Sequence, residues 1–331
     1  MGISVCMIVK NEEKYLEQCL NSIKELVDEI IIVDTGSTDR TKEIAARFTN
    51  KIFDFQWCDD FAAARNESLK HATGDWILVL DADEIIEKSD FSKIIEAISS
   101  EQNFAFSLPQ LHYTNEFTTH PDFVPTSHNP LSLNFKGFYS VQVIRLFKRI
   151  PSIFFDYCVH ETVLPSLEKQ GIIIPDLMVP IHHYHELKGV GDVKKTQEFY
   201  FRLSLKNIEK YPHYAKSYND VGVYYANYLQ DQEKALIYCQ KAVELEPGTI
   251  SYVLNLSYRL RDLNKFQEAI MVLKKTNQND IRVLRALGYL YLQLNKLNDA
   301  INAYQEAYGI FPTIQIDQLL TSLKQLKEKR K

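Results

Sequence analysis

A regular alternation of two kinds of segment over residues 3 to about 100 constrains the fold most strongly. Short apolar runs rich in β-branched residues are followed by amphipathic stretches with apolar residues at helical spacing. The predicted strands cover residues 4–9, 29–34, 51–55 and 75–80, and the predicted helices between them cover residues 15–23, 41–48 and 62–72. Ser37 or Thr38 is expected to cap the second helix. This order predicts an α/β domain with a mostly parallel sheet covered on both faces.

Polar clusters follow two of these strands, at residues 34–39 and 81–83. Ligands of such sheets bind at the carboxyl ends of the strands, where both clusters are expected to lie. The carboxylates of Asp81 and Asp83 are hard oxygen ligands that suit Mg²⁺ or Mn²⁺. A divalent ion there would bind a diphosphate and stabilise its charge as it leaves. The competing interpretation is a helix cap or a solvated turn, the commoner meaning of an isolated Asp-x-Asp.

Residues 104–150 differ in composition, with several prolines and many aromatic residues before a predicted strand at 141–147. The proline-rich part, 112–138, predicts a long surface loop. Loops of this length in compact domains are usually functional or mobile. It is therefore a candidate substrate lid or acceptor-side wall, with a disordered insertion as the alternative.

The pattern changes to helical repeats beyond residue 190. Ala235, Ala269 and Ala300 lie 34 and 31 residues apart, each within a helical pattern. Gly222 and Gly288 stand at matching positions, and the middle unit has Ser257 there. The spacing resembles the tetratricopeptide repeat, a helix-turn-helix unit of about 34 residues. We predict an α/β domain over 1–190 and an all-α repeat solenoid over 191–331, with an additional helix at 194–211 bridging the two.

Four ordered blocks, at residues 4–13, 33–39, 64–66 and 74–84, resemble motifs of the family 2 glycosyltransferases, which have the Rossmann-like GT-A fold. The resemblance implies a nucleotide-sugar donor, bound by Ile8, Val9, Glu12, Asp34, Arg65, Asp81 and Ala82. It places Ile8, Val9 and Asp34 at the base and ribose, Arg65 near the nucleotide, Asp81 near ribose or metal, and Asp83 on the metal, Mn²⁺ or Mg²⁺.

Each assignment has a structural alternative. Asp34 could serve as a turn acid and Arg65 as a surface ion pair. Glu12 either contacts ribose or begins a helix. Many family members have a second acid where this chain has Thr35, which puts the base contact normally made there in question.

The later part of the transferase region resembles the subgroup in which this domain precedes tetratricopeptide repeats. Transfer with inversion needs a base that activates the acceptor. Glu161 is the leading candidate and His160 the second, with a structural His-Glu pair as the alternative. GT-A enzymes often complete the metal shell with a late histidine, so His183 is the expected third ligand, with His182 and His185 as rivals. A zinc site without cysteine is a weaker interpretation.

Charge and the amino terminus exclude other classes. The formal net charge of −5 provides no basic surface for many nucleic-acid phosphates. The apolar start has neither the layout of a signal peptide nor the length of a membrane span. Five cysteines without a Cys-x-x-Cys pattern are typical of a reduced compartment. These features predict a cytoplasmic protein without a nucleic-acid partner.

The leading hypothesis is an inverting, metal-dependent transferase that moves a hexose from a UDP-sugar to a peptide or protein held by the repeats. The arrangement resembles bacterial peptide glycosyltransferases, including those that modify Cys or Ser of bacteriocin precursors. The alternatives are transfer to a surface polysaccharide or lipid-linked sugar, and a repeat scaffold with an inactive sheet domain. Exposed tyrosines such as Tyr289 and Tyr308 are candidates for a homodimer contact, with inter-helix core as the alternative.

Overall fold

The computed structural model describes residues 1–115, 123–126, 130–184 and 193–329 of the 331-residue chain. The chain divides into two compact units, Met1–Thr196 and Gln197–Lys331. The first contains the strands, and the second is helical. The predicted boundary near residue 190 falls in 185–192, outside the described residues.

The described part of the first unit forms one nine-stranded mixed sheet. Eight strands follow the order β3-β2-β1-β4-β8-β6-β9-β5, and β7 pairs with β8. The strands are β1 (Ile3–Val9), β2 (Glu29–Asp34), β3 (Ile52–Asp54), β4 (Trp76–Val79), β5 (Glu84–Ile86), β6 (Ala105–Thr114), β7 (Val124–Pro125), β8 (Gly137–Lys148) and β9 (Ile181–His183).

The prediction of a mostly parallel sheet is wrong beyond β4. The strands β3, β2, β1 and β4 are parallel, but β8 is antiparallel to β4, β6 and β7. The β6 and β9 strands are parallel, and β9 is antiparallel to β5. The long antiparallel pair β6–β8 therefore widens the sheet: the strand predicted at 141–147 lies within β8, whereas β6 was not predicted.

The predicted loop at 112–138 is correspondingly shorter. Residues up to Thr114 belong to β6, and β8 begins at Gly137, because these residues pair with each other across the two strands. Pro109 also lies in β6, just after a register shift at Phe106 and Ser107, and prolines in sheets occur mainly at such irregularities or at edges. Part of the predicted loop lies outside the described residues.

Helices cover the sheet with their apolar sides. They are α1 (Leu16–Ile23), α2 (Thr41–Ala45), α3 (Phe61–His71), α4 (Phe91–Ile98) and α5 (Leu164–Glu168). All four buried residues of α1 are apolar and join the core cluster that also contains Val5, Met7 and Leu78 of the sheet. A second cluster, with Cys6, Ile31 and Ile77, occupies the other face. Burial of both sheet faces explains why β1, β2 and β4 are almost continuously apolar.

The predicted cap of α2 is wrong. Asp39 Oδ1 accepts hydrogen bonds from the Thr41 backbone N–H at 3.0 Å and the Thr41 hydroxyl at 2.6 Å. Ser37 instead accepts from the Asn11 backbone N–H at 2.9 Å, and the Thr38 N–H donates to Asn11 Oδ1 at 2.8 Å. These two residues therefore join the loop after β1 to the loop after β2.

The second unit consists of paired helices. After α6 (Val193–Lys210) come α7 (Ala215–Asn227) with α8 (Gln232–Leu245), α9 (Ile250–Asp262) with α10 (Phe266–Lys274), α11 (Ile281–Gln293) with α12 (Leu297–Ile310), and finally α13 (Ile314–Lys329). A Cβ at Gly222 would stand 2.7 Å from Cys239 Sγ, and one at Gly288 would stand 2.7 Å from the Tyr304 ring. The two glycines are therefore required by close helix packing.

No helix among the described residues is both long enough and apolar enough to cross a membrane.

Candidate active site

Parallel pairing brings the two polar clusters to one edge of the sheet. Val9 is paired with Asp34 in the β1–β2 register, and β4 runs alongside β1, with Cys6 paired to Val79. Asp81 follows two residues after Val79. The carboxyl ends of β1, β2 and β4 therefore present Asp34 and Asp81 on the same side, as the alternation predicts.

Asp34 has one carboxylate oxygen in a turn and one without a partner. Oδ1 accepts from the backbone N–H groups of Gly36 at 2.9 Å and Ser37 at 2.8 Å. Gly36 has a φ of 109°, which favours glycine. Oδ2 is buried and has no hydrogen-bond partner in the described structure. A buried polar atom of this kind needs a partner, and a bound ligand can supply one.

The remaining predicted base and ribose positions lie near this turn. Val9 is buried and Ile8 is half-buried at the end of β1. The Val9 carbonyl accepts from both the backbone N–H and the hydroxyl of Thr35, so this threonine closes the strand end. The Glu12 carbonyl accepts from the N–H groups of Tyr15 and Leu16, which places Glu12 at the start of α1. The backbone of Glu12 therefore agrees with the interpretation in which this residue begins a helix.

Arg65 joins two predicted site residues that are distant in sequence. Its Nη2 lies 2.6 Å from Asp81 Oδ1, and its Nε lies 2.9 Å from Glu161 Oε1. The guanidinium is buried, and its Nη1 has no hydrogen-bond partner in the described structure. The surface-pair interpretation of Arg65 is therefore wrong. Helix α3 positions this side chain, and Asp60 caps α3 by accepting from the Ala63 N–H at 2.9 Å.

A second arginine completes the surroundings of Asp81. Arg145 Nη2 on β8 lies 2.9 Å from Asp81 Oδ2 and 3.2 Å from Glu84 Oε1. Burial alone would raise the pKa of Asp81, but Arg65 and Arg145 hold it well below its ordinary value. Both Asp81 oxygens thus accept from arginines. Ala82 follows this residue and is buried.

Asp83 lies close to the late histidine that the sequence favours. Asp83 Oδ2 is 3.3 Å from His183 Nε2. The β5–β9 register, with Glu84 paired to His183, and the bond from the Tyr184 N–H to the Asp83 carbonyl hold the two segments together. Burial would lower the pKa of His183, but Asp83 and the neighbouring acids raise it above its ordinary value.

The other late histidines differ. His182 points away from Asp83, with Nδ1 2.8 Å from the Tyr113 hydroxyl and Nε2 3.7 Å from Glu87, and burial lowers its pKa. His185 lies outside the described residues. Among the described residues, no three His, Cys, Asp or Glu side chains are grouped as a metal site. Asp83 and His183 provide two metal-binding atoms, and this number fits Mg²⁺ or Mn²⁺ that is also bound by substrate phosphate.

The two candidate bases occupy a turn between Asp156 and Thr162, which form an isolated β-bridge. Glu161 is mostly buried and accepts from Arg65. His160 is exposed and has a φ of 55°. Asn66 fixes the segment before the turn, because its amide bonds both the N–H and the carbonyl of Phe155 at 2.8 Å.

Four site residues are absent from the sequence prediction: Glu84, Gln110, His112 and Arg145. The Glu84 side chain is completely buried, and its Oε2 accepts from the Asp81 backbone N–H at 2.7 Å. Burial raises the pKa of Glu84, against the influence of Arg145. A charged residue among the apolar positions of a strand, as at Arg145, is the signal that could have identified one of them.

Residues 4–153 match the model of the family Glycosyl transferase family 2. The first unit therefore contains a domain that matches the family 2 glycosyltransferases. Residues 215–249 and 281–314 match the tetratricopeptide repeat. These matches confirm the GT-A-type domain followed by repeats. The middle helix pair falls between the two matched segments, where Ser257 replaces the usual glycine.

Curated relatives share part of this chain. A TPR repeat-containing protein of Synechococcus elongatus is 38% identical over 165 residues, which are 50% of this chain and 36% of that protein. The SPbeta prophage-derived glycosyltransferase SunS of Bacillus subtilis is 35% identical over 120 residues, 36% of this chain and 28% of SunS. The chain thus matches about a third of the length of these relatives. Among solved structures, S. aureus TarS 1–349 has a TM-score of 0.44 at 14% identity, covering 93% of this chain and 91% of that one.

Proposed function

We propose that this protein is a metal-dependent, inverting glycosyltransferase that moves a hexose from a UDP-sugar to a peptide or protein side chain. The observation that carries the proposal is the Asp83–His183 pair, placed at the strand edge where Asp34 presents a buried oxygen without a partner. The surrounding domain matches a glycosyltransferase family.

Two buried atoms without partners support a nucleoside diphosphate as the bound part of the donor. Asp34 Oδ2 is an acceptor that suits a ribose hydroxyl or the N3–H of uracil. Arg65 Nη1 is a donor that suits a phosphate oxygen. An acceptor for the nucleoside and a cationic donor for the phosphate are the two kinds of group that such a ligand requires.

The residues present also fit a divalent cation. Asp83 supplies an anionic oxygen and His183 an imidazole nitrogen, a set that suits Mn²⁺ and also admits Mg²⁺. A bound divalent cation would supply positive charge to the diphosphate as it leaves. Asp81 binds Arg65 and Arg145 in the present arrangement, so its role is to hold the two guanidinium groups beside the donor site.

Glu161 is the proposed base, with His160 as its alternative. The ion pair with Arg65 fixes the carboxylate in position, and carboxylates are in general weak bases. A thiol, with an ordinary pKa of about 8.5, loses its proton far more readily than a serine hydroxyl. This pairing therefore favours Cys over Ser as the acceptor residue. Attack by the activated acceptor in one displacement would give inversion.

A groove in the second unit supports a peptide acceptor. It has a volume of about 400 Å³ and is lined mainly by α11, including Arg282, Arg285 and Tyr289, and by α13, with Tyr258 of α9 and Tyr304 of α12. Its lining contains no Asp or Glu. Arg282 is held by Asp280, whereas Arg285 is exposed and has no hydrogen bond or ion pair within the described structure. The lining suits an extended segment that carries a carboxylate and an apolar side chain.

Donor use is tested by hydrolysis without acceptor. We expect slow release of UDP from one of a panel of UDP-hexoses in the presence of Mn²⁺, and loss of that release on addition of EDTA, because the pyrophosphate would lose its counter-charge. UDP release is measured by a coupled assay, and donor binding by thermal shift. Absence of both release and binding with every UDP-hexose would contradict the proposal and leave the scaffold alternative.

Acceptor binding is tested by reversal of one groove charge. We expect Arg285→Glu to weaken binding of a fluorescent acidic peptide about tenfold or more at low salt, while UDP release without acceptor is unchanged. Lys241→Glu is the matched control, because Lys241 lies on α8, outside the residues that line this groove. Equal affinities of wild type and Arg285→Glu would exclude this groove as the acceptor site.

A further inference from the structure

A continuous chain of side chains runs from the buried Glu84 to His183. The amide nitrogen of Gln110 donates to Glu84 Oε1, and Gln110 Oε1 lies 2.9 Å from His112 Nε2. The opposite ring nitrogen of His112, Nδ1, lies 3.1 Å from His183 Nδ1. The Nε2 atom of His183 then faces Asp83. We call Glu84, Gln110, His112 and His183 the relay.

The direction of each hydrogen bond follows from the chemistry of its atoms. Glu84 also receives bonds from Arg145 and the Asp81 N–H, so its carboxylate acts as an acceptor and requires the NH₂ end of Gln110. The carbonyl end of Gln110 can only accept, so His112 Nε2 must carry a proton. In the neutral form of His112 the lone pair is then on Nδ1, so in the 3.1 Å contact between the two rings His183 Nδ1 is the donor.

We propose that Gln110 and His112 are positioning residues that keep a proton on His183 Nδ1, so that the ring, once neutral, directs its Nε2 lone pair toward Asp83. With this arrangement, Asp83 and His183 present two acceptors to the same point, as ligands of a cation do. The carbonyl, carboxylate or similar group bonded to the second nitrogen of a metal-binding histidine fixes its tautomer and ring orientation in many sites. Here an imidazole has that position.

The sheet fixes the relay in space. Gln110 and His112 lie on β6, opposite Ile181 and His183 of β9 in parallel register. The His112 ring is stacked on Tyr139 of β8, with centroids 4.8 Å apart and planes inclined by 1°. Pairing with His183 on β9 and stacking on the Tyr139 ring therefore both limit rotation of the His112 side chain.

The test combines a spectroscopic signature with metal affinity. In the metal-free protein, long-range ¹H–¹⁵N spectra should show His112 as a neutral ring with its proton on Nε2. His112→Phe keeps the stacked ring but removes the acceptor for His183. We expect it to shift the ¹⁵N resonances of His183 and to raise the Kd for Mn²⁺ about 10- to 100-fold. His112→Gln, whose side-chain oxygen can accept from His183, should restore much of the affinity.

Tyr139→Phe is the matched control, since it keeps the stacking partner and all relay atoms, and thermal unfolding verifies that each variant is folded. A charged His112, or unchanged His183 resonances and Mn²⁺ affinity in His112→Phe, would overturn the relay. The inference rests on the proposed function only for the metal. If His112 shows the predicted proton pattern but the protein binds no Mn²⁺, the relay is supported and metal dependence is contradicted. If wild type releases UDP and His112→Phe binds Mn²⁺ as tightly as wild type, the relay is contradicted and metal dependence is supported.

Discussion

Asp83→Asn is expected to reduce Mn²⁺-dependent UDP release about 10²- to 10³-fold. The substitution removes the negative charge from one of the two groups that face the proposed cation, while the shape of the side chain stays nearly constant. Loss of one preorganised electrostatic contact to developing charge costs a factor of this size in other enzymes. The rate of UDP release and the Kd for Mn²⁺, measured for both proteins, check the prediction.

Asp75→Asn is the matched control for this change. Asp75 precedes the same strand, β4, that the Asp81–Asp83 segment follows, and its side chain is 64% exposed. It contacts the amino-terminal residues and is remote from the carboxyl ends of the strands. We expect its activity to equal that of wild type. Full activity of Asp83→Asn, or an equal loss in both variants, would contradict the metal role of Asp83.

The first half of the sheet was predictable because its determinants are local. Strand β2 was predicted at its observed bounds, since an apolar run ends in Asp34 and a turn whose glycine has a positive φ. The β6–β8 pair was predictable only in part, because residues 141–147 indicate a strand, whereas Pro109 and the nearby aromatic residues are typical of loops when considered singly. Its stability depends on pairing between residues about 25 to 40 apart in sequence, and sequence periodicity does not show which segments pair.

The candidate site also contains some residues that the local sequence locates and others whose position depends on contacts between distant segments. Asp34, Asp81 and Asp83 could be located because each stands at or just after a strand end. The partners of Asp81 could not, since Arg65 comes from a helix and Arg145 from β8, which sequence reasoning did not place beside β4. Likewise the resemblance to the family indicates His183, but the positions of Gln110 and His112 beside it depend on the β6–β9 register.

Arg65→Met is expected to cause the largest loss of stability, about 3 to 5 kcal/mol of unfolding free energy. The guanidinium bridges Asp81 and Glu161, and its side chain is only 6% exposed. Removing one partner from a buried ion pair leaves uncompensated charge, and losses of this size are typical. Because Arg145 still bonds Asp81, Glu161 should account for most of the loss. Urea unfolding of wild type and variant at neutral pH measures the difference.

Arg47→Met gives the comparison at the surface of the same unit. Arg47 and Glu17 form an ion pair at 3.0 Å, and their side chains are 45% and 50% exposed. Water and salt screen such a pair, so the expected loss is below about 1 kcal/mol. The double variant Arg65→Met/Glu161→Gln should recover part of the stability lost in Arg65→Met, because the second change removes the carboxylate left without its cation. Equal losses for Arg65→Met and Arg47→Met, or no recovery in the double variant, would show that the Arg65–Glu161 pair does not stabilise the fold.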